Sequence, residues 1–303
     1  MNAQLNSVQM IFIGLFALLT LSSVITALKA RLQPERNFTE LKLRVRSWWL
    51  IVILFAVAML STIKISMIFF AFIAFLSFKE YLSLIPMRRA DRRVLFWAYL
   101  SIPIQFYWIY TGWYGMFIIF IPVYVFLFLP FRALLIGEMS GFLTSISMIQ
   151  WGLMVGVFSI GHLASLMKIA GAELVVFLVL LTSLNDVAQY IWGKTFGRHK
   201  IIPKVSPNKT VEGFLGGLLT TTCLAYFVAP ILTPLSTVHS LLVGAMISAV
   251  GFIGDVTISA VKRDMGIKDS GTLIPGHGGI LDRVDSLTYT APLFFHFMRY
   301  FYY

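Results

Sequence analysis

The sequence predicts an all-α polytopic membrane protein with about ten transmembrane helices joined by polar loops. Of its 303 residues, 58% are hydrophobic and only 12% are charged, whereas about a quarter of the residues in a soluble domain are charged. The mean hydropathy is +0.85. The single cysteine, Cys223, cannot form an internal disulfide bond. Together these observations exclude soluble enzymes, disordered chains and disulfide-stabilised scaffolds.

Apolar runs long enough to cross a bilayer recur along the whole chain. Charged breaks or breaks with Gly or Pro separate ten candidate spans: 8–28, 48–63, 65–82, 94–110, 113–130, 141–163, 174–193, 213–233, 238–261 and 286–303. Residues 1–28 carry no charge, so the first run lacks the basic segment of a signal peptide and is expected to be a span. The break at 61–64 is short, and nine spans are the alternative.

Lys and Arg are concentrated on one side of the ten-span arrangement. Of the 24 basic residues, 21 fall in alternate loops on one face, and only Lys64, Lys168 and Arg299 fall on the other. Basic loops face the cytoplasm, so both termini are expected outside and the loops around 194–212 and 262–285 inside. In so apolar a chain, a net charge of +11 favours anionic membrane lipids or phosphates as partners, with no nucleic acid.

Two acids lie inside apolar spans, where a carboxylate costs at least about 2.5–3.5 kcal/mol on insertion scales. Asp186 and Asp255 both fall in the cytoplasmic halves of their spans. Such residues are candidate functional groups; an interhelical ion pair or polar packing contact is the structural alternative. Glu80, Glu138 and Glu173 lie at span ends, where an exposed carboxylate is the simpler interpretation.

The segment 259–285 contains the side chains that phosphoryl chemistry requires. Four cations can neutralise phosphate oxygens, namely Lys262, Arg263, Lys268 and Arg283. Carboxylates can hold Mg²⁺, which prefers oxygen ligands, and the candidates are Asp255, Asp282 and Asp285. A helix that begins at Asp282 would place Asp282 and Asp285 one turn apart on one face, so that one metal ion could contact both.

Glycines surround a histidine in the same segment. Gly276, Gly278 and Gly279 flank His277 and allow backbone N–H groups to approach a polyphosphate closely. His277 is a candidate general acid or base. We favour a phosphate or backbone contact for it, because a phosphate monoester needs no strong base to become a nucleophile.

An earlier loop follows a similar logic. Ser206, Pro207, Asn208, Lys209 and Thr210 precede a glycine-rich helix start, and helix N-termini favour anions. Basic loops also orient membrane proteins, and Gly and Pro make turns, so composition alone leaves both loops open as topology determinants.

These segments resemble the signature of the phosphatidate cytidylyltransferases, also called CDP-diacylglycerol synthases. The downstream match comprises Ser259, Val261, Lys262, Arg263, Lys268, Asp269, Gly271, Ile274, Pro275, His277, Gly278, Gly279, Ile280, Asp282, Arg283 and Asp285. The upstream match comprises Asp186, Tyr190, Gly193, Gly197, Ser206, Pro207, Asn208, Lys209, Thr210, Glu212 and Gly213. The resemblance covers about residues 180–290 and departs at Gln189, where a small residue is usual, and at Val211, where an aromatic residue is commoner.

The resemblance implies transfer of CMP from CTP to phosphatidate or a similar lipid phosphate, giving CDP-diacylglycerol and pyrophosphate for phospholipid biosynthesis. It implies Mg²⁺ as cofactor, with a monovalent cation such as K⁺ as a second candidate. The expected setting is a homodimer in the bacterial inner (cytoplasmic) membrane, with the active site facing the cytoplasm. Residues 1–170 would then form N-terminal and middle transmembrane helices, and residues 171–303 a C-terminal catalytic transmembrane domain.

The resemblance also assigns roles to residues. The expected catalytic residues are Asp186, Asp255, Lys262 and Asp282, and the expected metal ligands are Asp255, Asp282 and Asp285. The expected substrate contacts are Ser206, Asn208, Lys209, Arg263, Lys268, Asp269, His277, Gly278, Gly279 and Arg283.

Three other interpretations compete with this one. The first is a related CTP-dependent transferase that acts on another lipid phosphate. The second is an ion-coupled transporter in which Asp186 and Asp255 bind protons or cations within the membrane. Transport would not require the polar cluster of 262–285. The third is a catalytically silent scaffold, against which the intact acids argue.

Overall fold

The computed structural model describes residues 6–33, 35, 37–88, 91–276 and 278–303. His277, a predicted substrate contact, therefore lies outside the described residues. Within them, the chain forms ten long helical segments: α1 (Ser7–Leu32), α2 (Thr39–Leu60), α3 (Ile63–Leu84), α4 (Arg92–Thr111), α5 (Tyr114–Leu134), α6 (Phe142–Ala170), α7 (Ala172–Phe196), α8 (Val211–Leu232), α9 (Thr237–Asp264) and α10 (Leu281–Phe301). The predicted all-α polytopic architecture is confirmed.

Each predicted span corresponds to one of these helices. Eight of them, all except α4 and α10, are long and apolar enough to cross a membrane. Helix α4 begins with two arginines and α10 has three charged residues in its first turns, which lowers their apolar character. The chain is an integral membrane protein.

The short break between the second and third spans is a real helix boundary. Helix α2 ends at Leu60 and α3 begins at Ile63. The Ser66 hydroxyl donates a hydrogen bond to the Ala58 carbonyl at 2.7 Å, which satisfies one of the carbonyls left free at the end of α2. The chain therefore has two helices here rather than one merged span.

The helices differ in how deeply they are buried. In the most apolar window of α6, 72% of residues are buried inside the protein, compared with 17% in α1. Helix α6 is therefore central and α1 peripheral, with apolar side chains that face lipid. Both α5 and α6 contain a wide π-helical turn, at Phe120–Val125 and Leu153–Phe158, and the Gln150 amide donates to the Ile121 carbonyl at 3.3 Å between them.

The four C-terminal helices pack in series, α7 on α8, α8 on α9 and α9 on α10. Helix α10 also packs against α6 and α3, so the N-terminal helices reach the loops of the C-terminal ones. Glycines permit the closest approach: a Cβ on Gly213 would lie 2.8 Å from the Gln189 carbonyl oxygen and 3.0 Å from the Gly193 Cα. This contact packs the first turn of α8 directly against the backbone of α7.

Candidate active site

The predicted site residues that the structure describes lie in the last three turns of α7 and α9, in the loops that follow them, and in the first turns of α10. Two loops meet there, 197–210 between α7 and α8, and 265–280 between α9 and α10. Arg263 joins them, because its guanidinium donates hydrogen bonds to the carbonyls of Val205 at 3.2 Å and Ile267 at 2.8 Å. Arg263, a predicted substrate contact, is thus engaged with the backbone of both loops.

The 197–210 loop is held by its own hydrogen bonds. Lys200 and Thr210 form an isolated antiparallel bridge, and the Thr210 hydroxyl accepts from the Gly213 N–H at 3.1 Å, capping α8. The Glu212 carboxylate accepts from the backbone N–H groups of Arg198 and His199 at 2.9 Å and 3.2 Å. This bracing directs Lys209 towards the membrane-embedded acids.

Lys209 forms an ion pair with Asp255. Its Nζ lies 2.5 Å from Asp255 Oδ2, 3.5 Å from Gln189 Oε1 and 5.2 Å from the centre of the Phe252 ring. The other Asp255 oxygen accepts from the Ser259 hydroxyl at 3.2 Å. Gln189, which departs from the family pattern, therefore contributes directly to the surroundings of this pair.

Three carboxylates approach one another from three helices. Asp186 on α7 accepts from the Ser286 hydroxyl at 3.2 Å. Its charge interacts with that of Asp255 on α9, and both interact with that of Asp285 on α10. Ionised carboxylates repel one another, so positive charge beside these acids is favourable. Lys209 supplies such a charge at Asp255.

Asp282 is placed differently from the three other acids. Its Oδ1 lies 2.6 Å from the Nζ of Lys262, and both side chains are buried. Its Oδ2 accepts from the backbone N–H groups of Ser270 and Gly279, each at 2.9 Å. A Cβ on Gly278, whose φ is +79°, would lie 2.5 Å from that oxygen, so the loop requires glycine there.

The backbone N–H of Gly279 binds a carboxylate of the protein, whereas the sequence predicts a polyphosphate as its partner. We expected the glycine-rich turn to offer backbone N–H groups to a polyphosphate. In the structure the Gly279 N–H binds the Asp282 carboxylate, and the next two N–H groups, of Ile280 and Leu281, bind the Glu80 carboxylate. These three donors are not free for a nucleotide.

Its position at a span end predicts an exposed carboxylate for Glu80, but the side chain is part of this region. It is half-buried near the end of α3 and reaches the 265–280 loop. Helix α2 contacts the same loop, because the Ser47 hydroxyl donates to the Pro275 carbonyl at 2.8 Å. No sequence motif marks either contact, since the paired residues are about 190 and 228 positions apart.

The remaining predicted contacts lie at the mouth of the site. Asn208, Lys268, Asp269 and Arg283 are exposed, and Ser206 is half-buried in the turn whose carbonyl accepts from the Lys209 N–H at 3.2 Å. Among the described residues, Lys268 and Arg283 form no ion pair, unlike Lys209 and Lys262. They are cations available to a phosphate from the water.

The carboxylates of Asp186, Asp255 and Asp285 come from three helices, and their oxygens are donors of the type that a hard divalent cation prefers. In the part of the chain that the structure describes, no three acidic or histidine side chains are already gathered at metal-binding distance. Instead, Asp255 and Asp282 form ion pairs with Lys209 and Lys262.

Comparison with known proteins identifies relatives of two kinds. Uncharacterized protein YnbB of Escherichia coli (strain K12) is 46% identical over 292 residues, which is 94% of this chain and 96% of that protein. The phosphatidate cytidylyltransferase of Staphylococcus epidermidis is 41% identical over 128 residues, which is 41% of this chain and 48% of that protein. The Staphylococcus aureus protein of the same name is 41% identical over 124 residues, so the match spans about half the length of these enzymes.

A family model reaches much further than the staphylococcal matches. The model described as the cytidylyltransferase family matches residues 42–301, which include every helix of the site as well as α3. Because this model covers most of the sequence, the chain belongs to the cytidylyltransferase family.

Proposed function

We propose that this enzyme transfers CMP from CTP to phosphatidate, giving CDP-diacylglycerol and pyrophosphate. The observation on which the proposal depends is the presence of two Lys–Asp ion pairs among the helices α7–α10, Lys209 with Asp255 at 2.5 Å and Lys262 with Asp282 at 2.6 Å. Family membership supports a cytidine nucleotide as substrate. The name of the staphylococcal relatives supports phosphatidate as the acceptor.

The reaction joins a lipid and a water-soluble nucleotide. An oxygen of the lipid phosphate attacks the α-phosphorus of CTP and forms a new P–O bond. The bond between the α-phosphorus and the oxygen that bridges it to the β-phosphorus breaks, and pyrophosphate leaves with that oxygen. A phosphate monoester is already ionised near neutral pH, so no strong base is required. The main barrier is repulsion between two polyanions, and positioned cations lower it.

The lysines of the two ion pairs are suited to this task. Lys209 and Lys262 are held beside carboxylates at 2.5 Å and 2.6 Å, so each is positioned before substrate arrives. Lys268 and Arg283, which are exposed, receive the triphosphate from water and stabilise the leaving pyrophosphate. His277 stays a predicted phosphate or backbone contact outside the described residues, and Ser206, Asn208, Asp269 and Gly278 are proposed to line the entrance for the nucleotide.

Mg²⁺ is the proposed cofactor. Asp186, Asp255 and Asp285 would hold it, and Asp282 stays a predicted ligand through the lone pairs that its present partners leave free. When bound, the ion would offset negative charge on the phosphates. A monovalent cation such as K⁺ is a second candidate. With Asp255 so engaged, the Lys209 ammonium becomes available to substrate phosphate.

The proposed setting follows the charge distribution. The enzyme lies in the bacterial inner membrane with the 197–210 and 265–280 loops in the cytoplasm, where CTP is made, and it functions as a homodimer. Lipid phosphate enters from the adjacent leaflet. The excess of basic residues on this side supports the orientation.

Another lipid phosphate is the alternative acceptor. The match to the staphylococcal phosphatidate cytidylyltransferases covers only 41% of this chain, whereas the match to Uncharacterized protein YnbB covers 94%. Lipid contacts outside the matched 41% of the chain can therefore differ from those of the staphylococcal enzymes.

The test is pyrophosphate release by the purified protein with CTP and Mg²⁺. We expect release with phosphatidate and none with diacylglycerol of the same acyl chains. Release with a different lipid phosphate but not with phosphatidate would assign the alternative acceptor. Absence of release with every lipid phosphate, together with cation uptake into proteoliposomes, would favour a transporter.

A further inference from the structure

Glu80, on α3, binds the 265–280 loop and the start of α10 from outside the helices α7–α10. It lies four residues before the end of α3, and its carboxylate accepts three hydrogen bonds from residues about 190 to 201 positions away. The donors are the Ser270 hydroxyl at 3.2 Å, the Ile280 N–H at 2.9 Å and the Leu281 N–H at 2.8 Å.

The contact is closely packed. A Cβ on Gly279 would lie 2.3 Å from Glu80 Oε2 and 2.4 Å from Ser270 Oγ, and a Cβ on Gly271 would lie 3.2 Å from Glu80 Oε1. Only glycine at position 279 allows the carboxylate of α3 to reach the backbone of the turn. Gly271 and Gly279 therefore leave room for the carboxylate of an acid on a distant helix.

Glu80 and Asp282 divide the N-terminal donors of α10 between them. The Asp282 carboxylate takes the N–H of Gly279, and Glu80 takes those of Ile280 and Leu281. Ser270 links the two acids, because its N–H binds Asp282 and its hydroxyl binds Glu80. Backbone donors at a helix start favour negative charge, so both acids are well placed electrostatically.

Asp282 can face Lys262 only if the first turn of α10 is held in this position. The Asp282 side chain begins one residue after Leu281, whose N–H Glu80 binds, and its Oδ1 lies 2.6 Å from the Lys262 Nζ. Loss of the Glu80 contacts would free the N–H groups of residues 280 and 281 and shift Asp282, and with it the Lys262 ammonium that we assign to substrate.

We propose that Glu80 is a positioning residue of the active site, which holds the first turn of α10 so that Asp282 orients Lys262. The role in catalysis rests on the proposed function, whereas the contact itself does not. The Glu80 carboxylate is engaged by three donors of the protein, so in this proposal its effect passes through Asp282 and Lys262.

The experiment compares Glu80→Gln with Glu173→Gln in the full-length protein in detergent. Glutamine keeps the size of the side chain but presents an NH₂ group to one of the two backbone donors. Glu173 is also an acid at a helix end, and among the described residues it forms no hydrogen bond with the 265–280 loop. Amide hydrogen exchange of residues 279–281 is measured first, and cytidylyl transfer to phosphatidate second.

For Glu80→Gln we expect amide exchange at 280 and 281 to be about tenfold faster or more, because local opening becomes easier. We expect kcat to fall by about tenfold or more while KM for CTP changes by less than about threefold, since the lost interaction acts on the transition state through Lys262. Glu173→Gln should change none of these quantities beyond error.

Unchanged exchange in Glu80→Gln would overturn the contact, and faster exchange with unchanged kcat would overturn the positioning role. If the wild-type protein transfers CMP to no lipid phosphate, the proposed function fails, and the exchange result still decides the contact. If Glu80→Gln does not fold, Ser270→Ala, which removes one hydrogen bond to Glu80, should give the same pattern at about threefold; no change in that variant would overturn the proposal.

Discussion

At the scale of single residues, the site depends on two Lys–Asp pairs in unlike surroundings. Lys262 and Asp282 are almost fully enclosed, with side chains 10% and 6% exposed, whereas Lys209 and Asp255 are 19% and 23% exposed. Asp282 also has two backbone donors, and Asp255 lies near two other acids. The first pair is suited to hold a fixed geometry and the second to exchange its partner.

Asp255→Asn should remove most turnover, by about a hundredfold at limiting Mg²⁺. An amide oxygen is a poorer ligand for a hard cation than a carboxylate oxygen, and the substitution also releases Lys209. Initial rates across a range of Mg²⁺ concentrations measure the effect, with Glu173→Gln as the control. Near-normal activity of Asp255→Asn at low Mg²⁺ would contradict the assignment of Asp255 to the metal.

Lys262→Met should lower both stability and turnover, because it leaves a buried carboxylate without its cation at a cost of about 3–5 kcal/mol. The double variant Lys262→Met with Asp282→Asn should regain most of the stability but none of the turnover. Thermal unfolding in detergent and the transfer assay give the two readouts. Recovery of turnover in the double variant would show that the pair is purely structural.

The sequence allowed the acids in the spans to be predicted, but not Glu80. Asp186 and Asp255 interrupt apolar runs, and the free-energy cost of a carboxylate in such a run can be inferred from the sequence alone. Glu80 lies at a span end, as Glu138 and Glu173 do, and only packing of α3 against α10 separates it from them. The sequence also could not show that Asp282 and Asp285 have different partners, because this depends on how α10 packs in the fold.

At the scale of elements, helix positions followed from the length of apolar runs. The role of Gly193 and Gly213 at the crossing of α7 and α8 could not be predicted from apolar runs, because it depends on how the helices pack. A Cβ on Gly213 would approach backbone atoms of α7, which cannot give way as the end of a flexible side chain can. The wide turns in α5 and α6 were also not predictable, because hydropathy does not report hydrogen-bond register.

Gly213→Ala should therefore destabilise the protein by about 1–3 kcal/mol, the usual cost of overpacking, and should lower turnover by displacing the loop of Lys209. Gly14→Ala is the matched control, because a Cβ there has nothing within 4 Å. Thermal unfolding of both variants in the same detergent compares them. An equal effect of the two substitutions would contradict the close helix crossing.

At the scale of the whole molecule, the charge distribution predicts the orientation in the membrane. The loop around Lys204 should face the cytoplasm and Thr62 the other side, and both residues are exposed. In a variant with Cys223 replaced by Ser, single cysteines at 62 and 204 report this on intact cells with an impermeant thiol reagent. Position 62 should be labelled and position 204 should not; the reverse pattern would contradict the orientation.

Radiolabelled CTP can show whether the CMP part of the nucleotide ends on a lipid phosphate. The purified protein is incubated with phosphatidate, Mg²⁺ and CTP that is radiolabelled in either the α- or the γ-phosphate, and the lipid is then extracted. We expect the α-label to enter the lipid fraction while the γ-label stays in water as pyrophosphate. Transfer of the γ-label to lipid, or no lipid label from either nucleotide, would contradict this prediction.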